Sequence, residues 1–343
     1  MGILLRRWFG PIVLLVVLLA GVGYWFYWNH LADGLKAGVE RWVAERRAEG
    51  MDVEHGTVAV TGFPYRLRVS IDAPRLASPQ RPMAPDWAAD RLDIFFQPWN
   101  FSHAILQPIG PQSLAWGPAD ARMASVVQST DMRVSVRFDA AGQLDTIAAD
   151  LRDVIADGNS PLRQAARLQF HLRRNSGQSE DRPANSSNLA LTGNEIVLTP
   201  DATPLGDRFD EAAVSLLLRP VPGGLSPVQL DRWRDASGVI DIDRIAFLKD
   251  SLRVSGDGSV ALDLQRRPEG AMVFIVQGAD RFIDALADAG QMSDIARIGL
   301  RMAVSALEKT DSEGNRKVTL PLAIQDGTVS LLKFKLFPVP PVY

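Results

Sequence analysis

Hydrophobic and polar positions change rhythm twice along this chain. Trp8 to Trp28, WFGPIVLLVVLLAGVGYWFYW, is 21 residues without a charge. As a helix it would run ~31 Å, about the hydrocarbon thickness of a bilayer. Trp8 and Phe9 flank it at one end, and Tyr24, Trp25, Phe26, Tyr27 and Trp28 at the other. Such rings favour the headgroup level. Residues 31–49 then take a helical period, with Leu31, Leu35, Val39, Trp42 and Val43 on one face and Gly50 as a stop. A stalk packed on the following domain and a helix lying in the membrane interface both fit this stripe, and the stalk is preferred.

Beyond residue 56 the period is two. Leu67, Val69 and Ile71 face one way, and Arg66, Arg68, Ser70 and Asp72 the other. The same alternation marks Leu92, Ile94 and Phe96; Met132, Val134, Val136 and Phe138; Val260, Leu262 and Leu264; and Val318, Leu320, Leu322 and Ile324. These are strands of antiparallel sheets with one wet and one apolar face. Met272–Val276 is apolar throughout and reads as a strand covered on both faces. A phase shift between Leu331 and Leu332 predicts a bulge. Turns are expected at Gly62-Phe63-Pro64, Asp257-Gly258, Ser312–Asn315 and Asp326-Gly327. Helices are few: one opening at Ser226-Pro227 with Leu230 and Trp233, one over Phe282, Ile283 and Leu286 ending near Gly290, and one over Ile295, Ile298, Met302 and Ala306. Ser78–Pro85 and Asn175–Asn188 read as long loops or linkers. The fold class is therefore β-rich, all-β or α+β: curved antiparallel sheets with few peripheral helices behind one N-terminal transmembrane helix.

Charge and composition narrow the function classes. Setting aside Arg6 and Arg7, the only charges before residue 29, leaves 35 basic against 40 acidic side chains. Such a domain, without a basic run, is a poor partner for phosphate backbones, so no nucleic-acid partner is expected. The absence of Cys removes disulfides, thiolate chemistry and Cys-type zinc sites. A cleaved signal peptide is the rival to an anchor. Leu18-Leu19-Ala20 lacks the small residue three positions before the cut, which favours the anchor. Arg6 and Arg7 favour a cytoplasmic N-terminus, although the mixed charges of residues 33–49 blur the positive-inside count. The expected layout is a cytoplasmic tail (1–7), an inner-membrane anchor (8–28), a stalk or interfacial helix (29–50) and a periplasmic β-rich domain (51–343), with a subdivision near 175–188.

Candidate chemistry is sparse. His30, His55, His103 and His171 are far apart in sequence and form no metal-ligand spacing. There is no GxSxG elbow and no phosphate-binding loop. Gly256-Asp257-Gly258 reads as a hairpin turn rather than the start of a dinucleotide fingerprint. Asp241 and Asp243 alternate with Ile240 and Ile242, as on the wet face of a strand. No catalytic, cofactor or metal residue is assigned, and the protein is expected not to be an enzyme. Phe95–Phe101 and the C-terminal Leu336–Tyr343 are dense in apolar side chains and prolines; they close a β core or wall an apolar groove that holds an acyl chain, and sequence does not separate the two.

Thr61–Leu67, Gln97–Asn100, Gly256–Gly258, Arg267–Gly270 and Asp326–Val329, with the basic N-terminus and the span, resemble domain-of-unknown-function family 2125, membrane-anchored envelope proteins of Gram-negative bacteria. In outline the chain is also similar to AsmA-like proteins. That likeness implies a β groove shielding lipid tails, by analogy of architecture alone. The expected function is a non-catalytic envelope protein binding lipid or another apolar ligand in a β groove. The alternative is a scaffold that binds envelope protein partners through strand edges or the 31–49 helix.

Overall fold

The first element follows from the first rhythm. In the computed structural model, which describes residues 2–79, 85–117, 122–175, 183–200, 202, 203, 205–224, 226–288, 294–310, 316–331 and 334–342, the uncharged apolar run and the amphipathic stripe after it are one unbroken helix, α1 (Gly2–Ala48). Asn29 does not break it, because its side-chain amide donates to the Trp25 carbonyl one turn back, at 2.8 Å. Gly50 ends it in a left-handed conformation (φ 82°). The Met51 and Gly50 N–H groups close back on the Arg46 and Arg47 carbonyls, at 3.1 and 3.0 Å, satisfying acceptors the helix would leave bare. From Pro11 onward the helix is long and apolar enough to cross a membrane, and the side chains from Ile12 to Leu19 are exposed.

The chain divides into two compact units, Met1–Val126 and Val127–Tyr343. In the first, β1 (Asp52–Glu54), β2 (Val58–Thr61), β3 (Leu67–Asp72), β4 (Arg75–Ala77), β5 (Asp86–Gln97) and β6 (Asn100–Trp116) follow α1. All pairings among them are antiparallel: β2–β3, β3–β5, β5–β6, β4–β5 and β1–β4. Leu67, Val69 and Ile71 are buried, as their alternation predicts. Trp28, Ala32 and Leu67 form the centre of a core in which α1 lies on β2, β3 and β5, with Leu31, Leu35, Val60 and Phe96 around it. Of the 31–49 stripe, Leu31 and Leu35 pack in this core and Val43 is buried, whereas Trp42 is 47% exposed.

In the second unit β7 (Met123–Gln128), which spans the boundary, is followed by β8 (Asp131–Phe138), β9 (Leu144–Gly158), β10 (Leu162–Arg174), β11 (Ser187–Leu198) and β12 (Arg208–Arg219). Next come α2 (Pro227–Asp235), β13 (Val239–Lys249), β14 (Leu252–Leu262), β15 (Pro268–Gln277), α3 (Ala279–Asp288) and α4 (Asp294–Leu307). The last elements are β16 (Glu308–Thr310), β17 (Arg316–Gln325), β18 (Thr328–Leu331) and β19 (Phe334–Pro338). Strands β8 to β15 form an antiparallel meander that continues onto β17, which also pairs β16 and β18; β18 pairs β19. Most of these pairings join consecutive strands, whereas α2 lies between β12 and β13, and α3, α4 and β16 lie between β15 and β17. The fold is β-rich and antiparallel with few helices, as the two-residue period predicts.

Several local expectations are met for the stated reason. Ser226 caps α2 in a reciprocal box with Gln229, Pro227 opens it, and Trp233 is buried with its indole N–H on the Pro220 carbonyl at 2.7 Å. Asp326 and Gly327, both at positive φ, make the two-residue turn between β17 and β18.

Others are corrected. Gly256-Asp257-Gly258 is no turn: it lies inside β14, and a Cβ on Gly256 would stand 2.5 Å from the Phe274 ring, so Gly256 admits a neighbouring aromatic, while Gly258 lets the Ala271–Met272 backbone approach. Met272–Val276 is not covered on both faces. Met272, Phe274 and Val276 turn inward, whereas Val273 and Ile275 are exposed. The register shift near the C-terminus falls between Val329 and Ser330 against β19, while Leu332 lies outside the described residues. Ser312–Asn315, Gly290, residues 80–84 of the first loop and 176–182 of the second also lie outside the described residues. At the ends of the second loop, Asn175 and Ser186 are buried, and the Asn175 amide donates to Ser186 Oγ and Asn188 Oδ1, each at 2.9 Å.

The β14–β15 connection carries a charge knot with a pH consequence. Asp263 accepts from the Gln265 and Arg267 backbone N–H groups at 2.8 Å and pairs with the Arg267 guanidinium at 2.7 Å. Burial pushes its carboxyl up, but the hydrogen bonds and charge of Arg267 outweigh that and hold it below the usual carboxylate range. A carboxyl lowered on folding stabilises the folded state above its unfolded pKa, and that contribution is lost as pH falls through the folded value. Between about pH 5 and 3 the melting temperature of the parent should therefore fall more steeply than that of Asp263→Asn, measured by circular dichroism.

Candidate functional site

Register lines up the apolar positions of neighbouring strands in the second unit. Directly paired residues point to one face of a sheet. Across β8 to β13 the pairs run Val136, Ile147, Leu172, Leu189, Leu216, Ile242 in one row. The next row is Val134, Ala149, Phe170, Leu191, Val214, Ile245, and the third is Met132, Leu151, Leu168, Gly193, Ala212, Phe247. No polar side chain interrupts these rows. The other face mixes charged side chains with Ala148, Ala190 and the buried Leu217: Arg167 holds Asp150 with two hydrogen bonds, at 2.7 and 3.1 Å, and Arg219 pairs with Asp241. The Arg167 bond is the main cause that keeps the Asp150 carboxyl below its usual range.

The apolar face is covered unevenly. Towards β14, β15 and β17 it is sealed by α3 and α4, where Val254, Val276 and Val318 pack with Ala279, Ile283 and Val304. Ile283 is 1% exposed there. Over β8 to β12 the side chains of the three rows remain only half-buried, and Leu191 is 49% exposed. A groove of about 430 Å³ lies on this part, floored by Leu168, Leu191, Ala212 and Phe247 and flanked by Leu205. Its size is within the range of small-ligand sites. Among its described lining residues Thr203 alone has a polar side chain. Lys249 stands 5.6 Å from the centroid of the Phe209 ring, which also lines the groove.

The residues singled out for chemistry do not converge. Asp241 is engaged by Arg219, and Asp243 is exposed where β13 shifts register against β14. His55 lies 3.8 Å from Glu40. Among the described residues no group of three or more His, Asp or Glu side chains is placed to hold a metal ion.

A family model described as "Uncharacterized protein conserved in bacteria (DUF2125)" matches residues 28–340. The chain belongs to that family. The DUF2125 match begins at Trp28, where the apolar run ends, and covers both compact units. Neither the comparison with curated proteins nor that with solved structures gives a match.

Sequence reading placed apolar density at Phe95–Phe101 and at the C-terminus, whereas the groove of this DUF2125 member is built on β10 to β13. In the first stretch Phe96 packs in the α1 core and Trp99 is exposed at the β5–β6 turn. In the second, Tyr343 lies outside the described residues. The signal that could have located the groove is the alternation Leu168-Phe170-Leu172 followed by Leu189-Leu191.

Proposed function

We propose that this chain is a non-catalytic protein anchored in the bacterial inner membrane by α1, which holds a lipid or other amphiphile against the open apolar face of its second unit on the periplasmic side. The observation that carries this reading is the set of three uninterrupted apolar rows, sealed by helices, among the described residues, at one end only. Half-buried apolar area of that extent is unfavourable in water and favours an apolar occupant, at about 25 cal/mol per Å² covered. The groove volume suits an acyl segment, and Lys249 beside Phe209 suits an anionic head. For the anchor, the support is an uncharged helix of bilayer length with outward apolar side chains.

The test is direct. Full-length protein is extracted in mild detergent, washed free of bulk lipid and examined by native mass spectrometry and organic extraction. An amphiphile retained with each protein molecule is the expected result. Folded protein that is repeatedly ligand-free, or one dominant protein cross-linked over Leu191 in cells, would overturn it in favour of the scaffold alternative. Alkaline carbonate washing should leave the intact chain in the membrane pellet.

A further inference from the structure

We infer that two turns of the first unit, Gly62–Tyr65 and the β5–β6 turn at Trp99, form with Trp25 and Phe26 an aromatic collar that docks this unit into the headgroup layer of the bilayer entered by α1. The inference rests on the anchor reading above and adds a second membrane contact to it. Its geometry is fixed by hydrogen bonds to the helix. Tyr24 Oη donates to the Pro64 carbonyl at 2.5 Å, Tyr27 Oη to the Pro98 carbonyl at 3.0 Å, and the Trp28 indole N–H to the Arg66 carbonyl at 3.2 Å. The Phe63 ring sits between Tyr24 and Trp28, 5.9 and 5.8 Å from their centroids. Both turns are therefore held at the axial level of residues 24–28, where the apolar run ends.

At that level the aromatic side chains divide in two. Tyr24, Tyr27 and Trp28 use their polar atoms on the turns, so three of the rings that sequence assigns to an interfacial belt tie the helix to its domain. Trp25 and Phe26 remain exposed on the helix, joined by exposed Phe63 and Phe101, and by Tyr65 and Trp99 at 79% and 67% exposure. Large rings this exposed, on two turns pinned beside a candidate span, have the character of interfacial anchors. Arg66, exposed and with its guanidinium carbon 5.4 Å from the Phe95 ring centroid, adds a cation to the same place, where lipid phosphates lie. The occupant is the bilayer interface itself, because the collar is continuous with the helix that would enter it.

The chain has no cysteine, so single-Cys variants report one position each. Val16→Cys, Tyr65→Cys, Trp99→Cys and Glu45→Cys are labelled with an environment-sensitive fluorophore. The full chains are then reconstituted in phosphatidylethanolamine–phosphatidylglycerol vesicles. Glu45 is exposed and ~30 Å further along α1 than Trp25, so it marks water. The expected result is deep quenching by nitroxide lipids at Val16, shallow quenching with loss of most iodide access at Tyr65 and Trp99, and full iodide access at Glu45. A Val16 label in hydrocarbon with Tyr65 and Trp99 labels as wet as Glu45 would overturn the collar and leave the anchor standing. A Val16 label in water would overturn both.

Discussion

Replacing Leu67 by alanine is expected to destabilise the β2–β3–β5 sheet by about 3 kcal/mol, which is about a hundredfold loss of hydrogen-exchange protection in its amides. Leu67 is 0% exposed and sits beneath Trp28 and Ala32 of α1. Truncation removes its buried methyl groups and leaves a void, and the cost depends on whether neighbours can close in. They are poorly placed to do so. Trp28 is pinned by its bond to the Arg66 carbonyl and by edge contact with Phe63, and the partners of Leu67 in β5 are held by the strand ladder. The measurement is exchange of the full chain in detergent, resolved by peptide. Amides of β8 to β15 should keep their protection, since the cluster around Leu67 is confined to the first unit. A change of less than about threefold in β2 and β3 would show that α1 contributes little to that core.

How much of this was legible in the sequence depends on whether the information is local. Alternation at Leu67-Val69-Ile71 or Val318-Leu320-Leu322 marks a strand because one side of each sheet is apolar, and that pattern needs no knowledge of the partner. The cap at Ser226 and the turn at Asp326-Gly327 are equally local. What could not be read is register. A one-residue slip moves a strand's whole apolar set to the other face. The three rows therefore exist only once Phe170 is paired with Leu191 and Leu191 with Val214. Gly256 misled for a related reason: a glycine that makes room for Phe274 on the next strand looks, in one dimension, like a glycine that makes a turn. The aromatic run Tyr24–Trp28 suggested a lipid belt, and its partial use as hydrogen-bond donors to Pro64, Pro98 and Arg66 depends on turns 38 to 71 residues away. The helix over Ile298 and Met302 was visible, but both side chains are exposed while Val304 packs inward. An apolar residue count fixes a helix better than it fixes which face is covered.

Leu191→Asp should abolish retention of the amphiphile while leaving the fold in place, and this separation makes it the sharper test of the open sheet face. Leu191 lies in the middle row and floors the groove, yet it is 49% exposed. Losing its packing in the empty protein therefore costs little, within about 1 kcal/mol for an exposed site. With an acyl chain seated on the face, the introduced carboxylate must be stripped of water without a partner, which costs several kcal/mol or forces it to take up a proton. Each 1.4 kcal/mol is tenfold in affinity, so a loss of at least about tenfold is expected. Leu191→Met keeps volume and apolarity and should bind like the parent. Acidification should restore part of the binding to Leu191→Asp, because a neutral carboxyl is far less costly to cover than a charged one. The measurement is displacement of a fluorescent fatty acid from each full-length variant, alongside its melting temperature. Equal affinities for the parent and Leu191→Asp, at equal stability, would move the ligand off this face and leave its half-buried rows without an occupant.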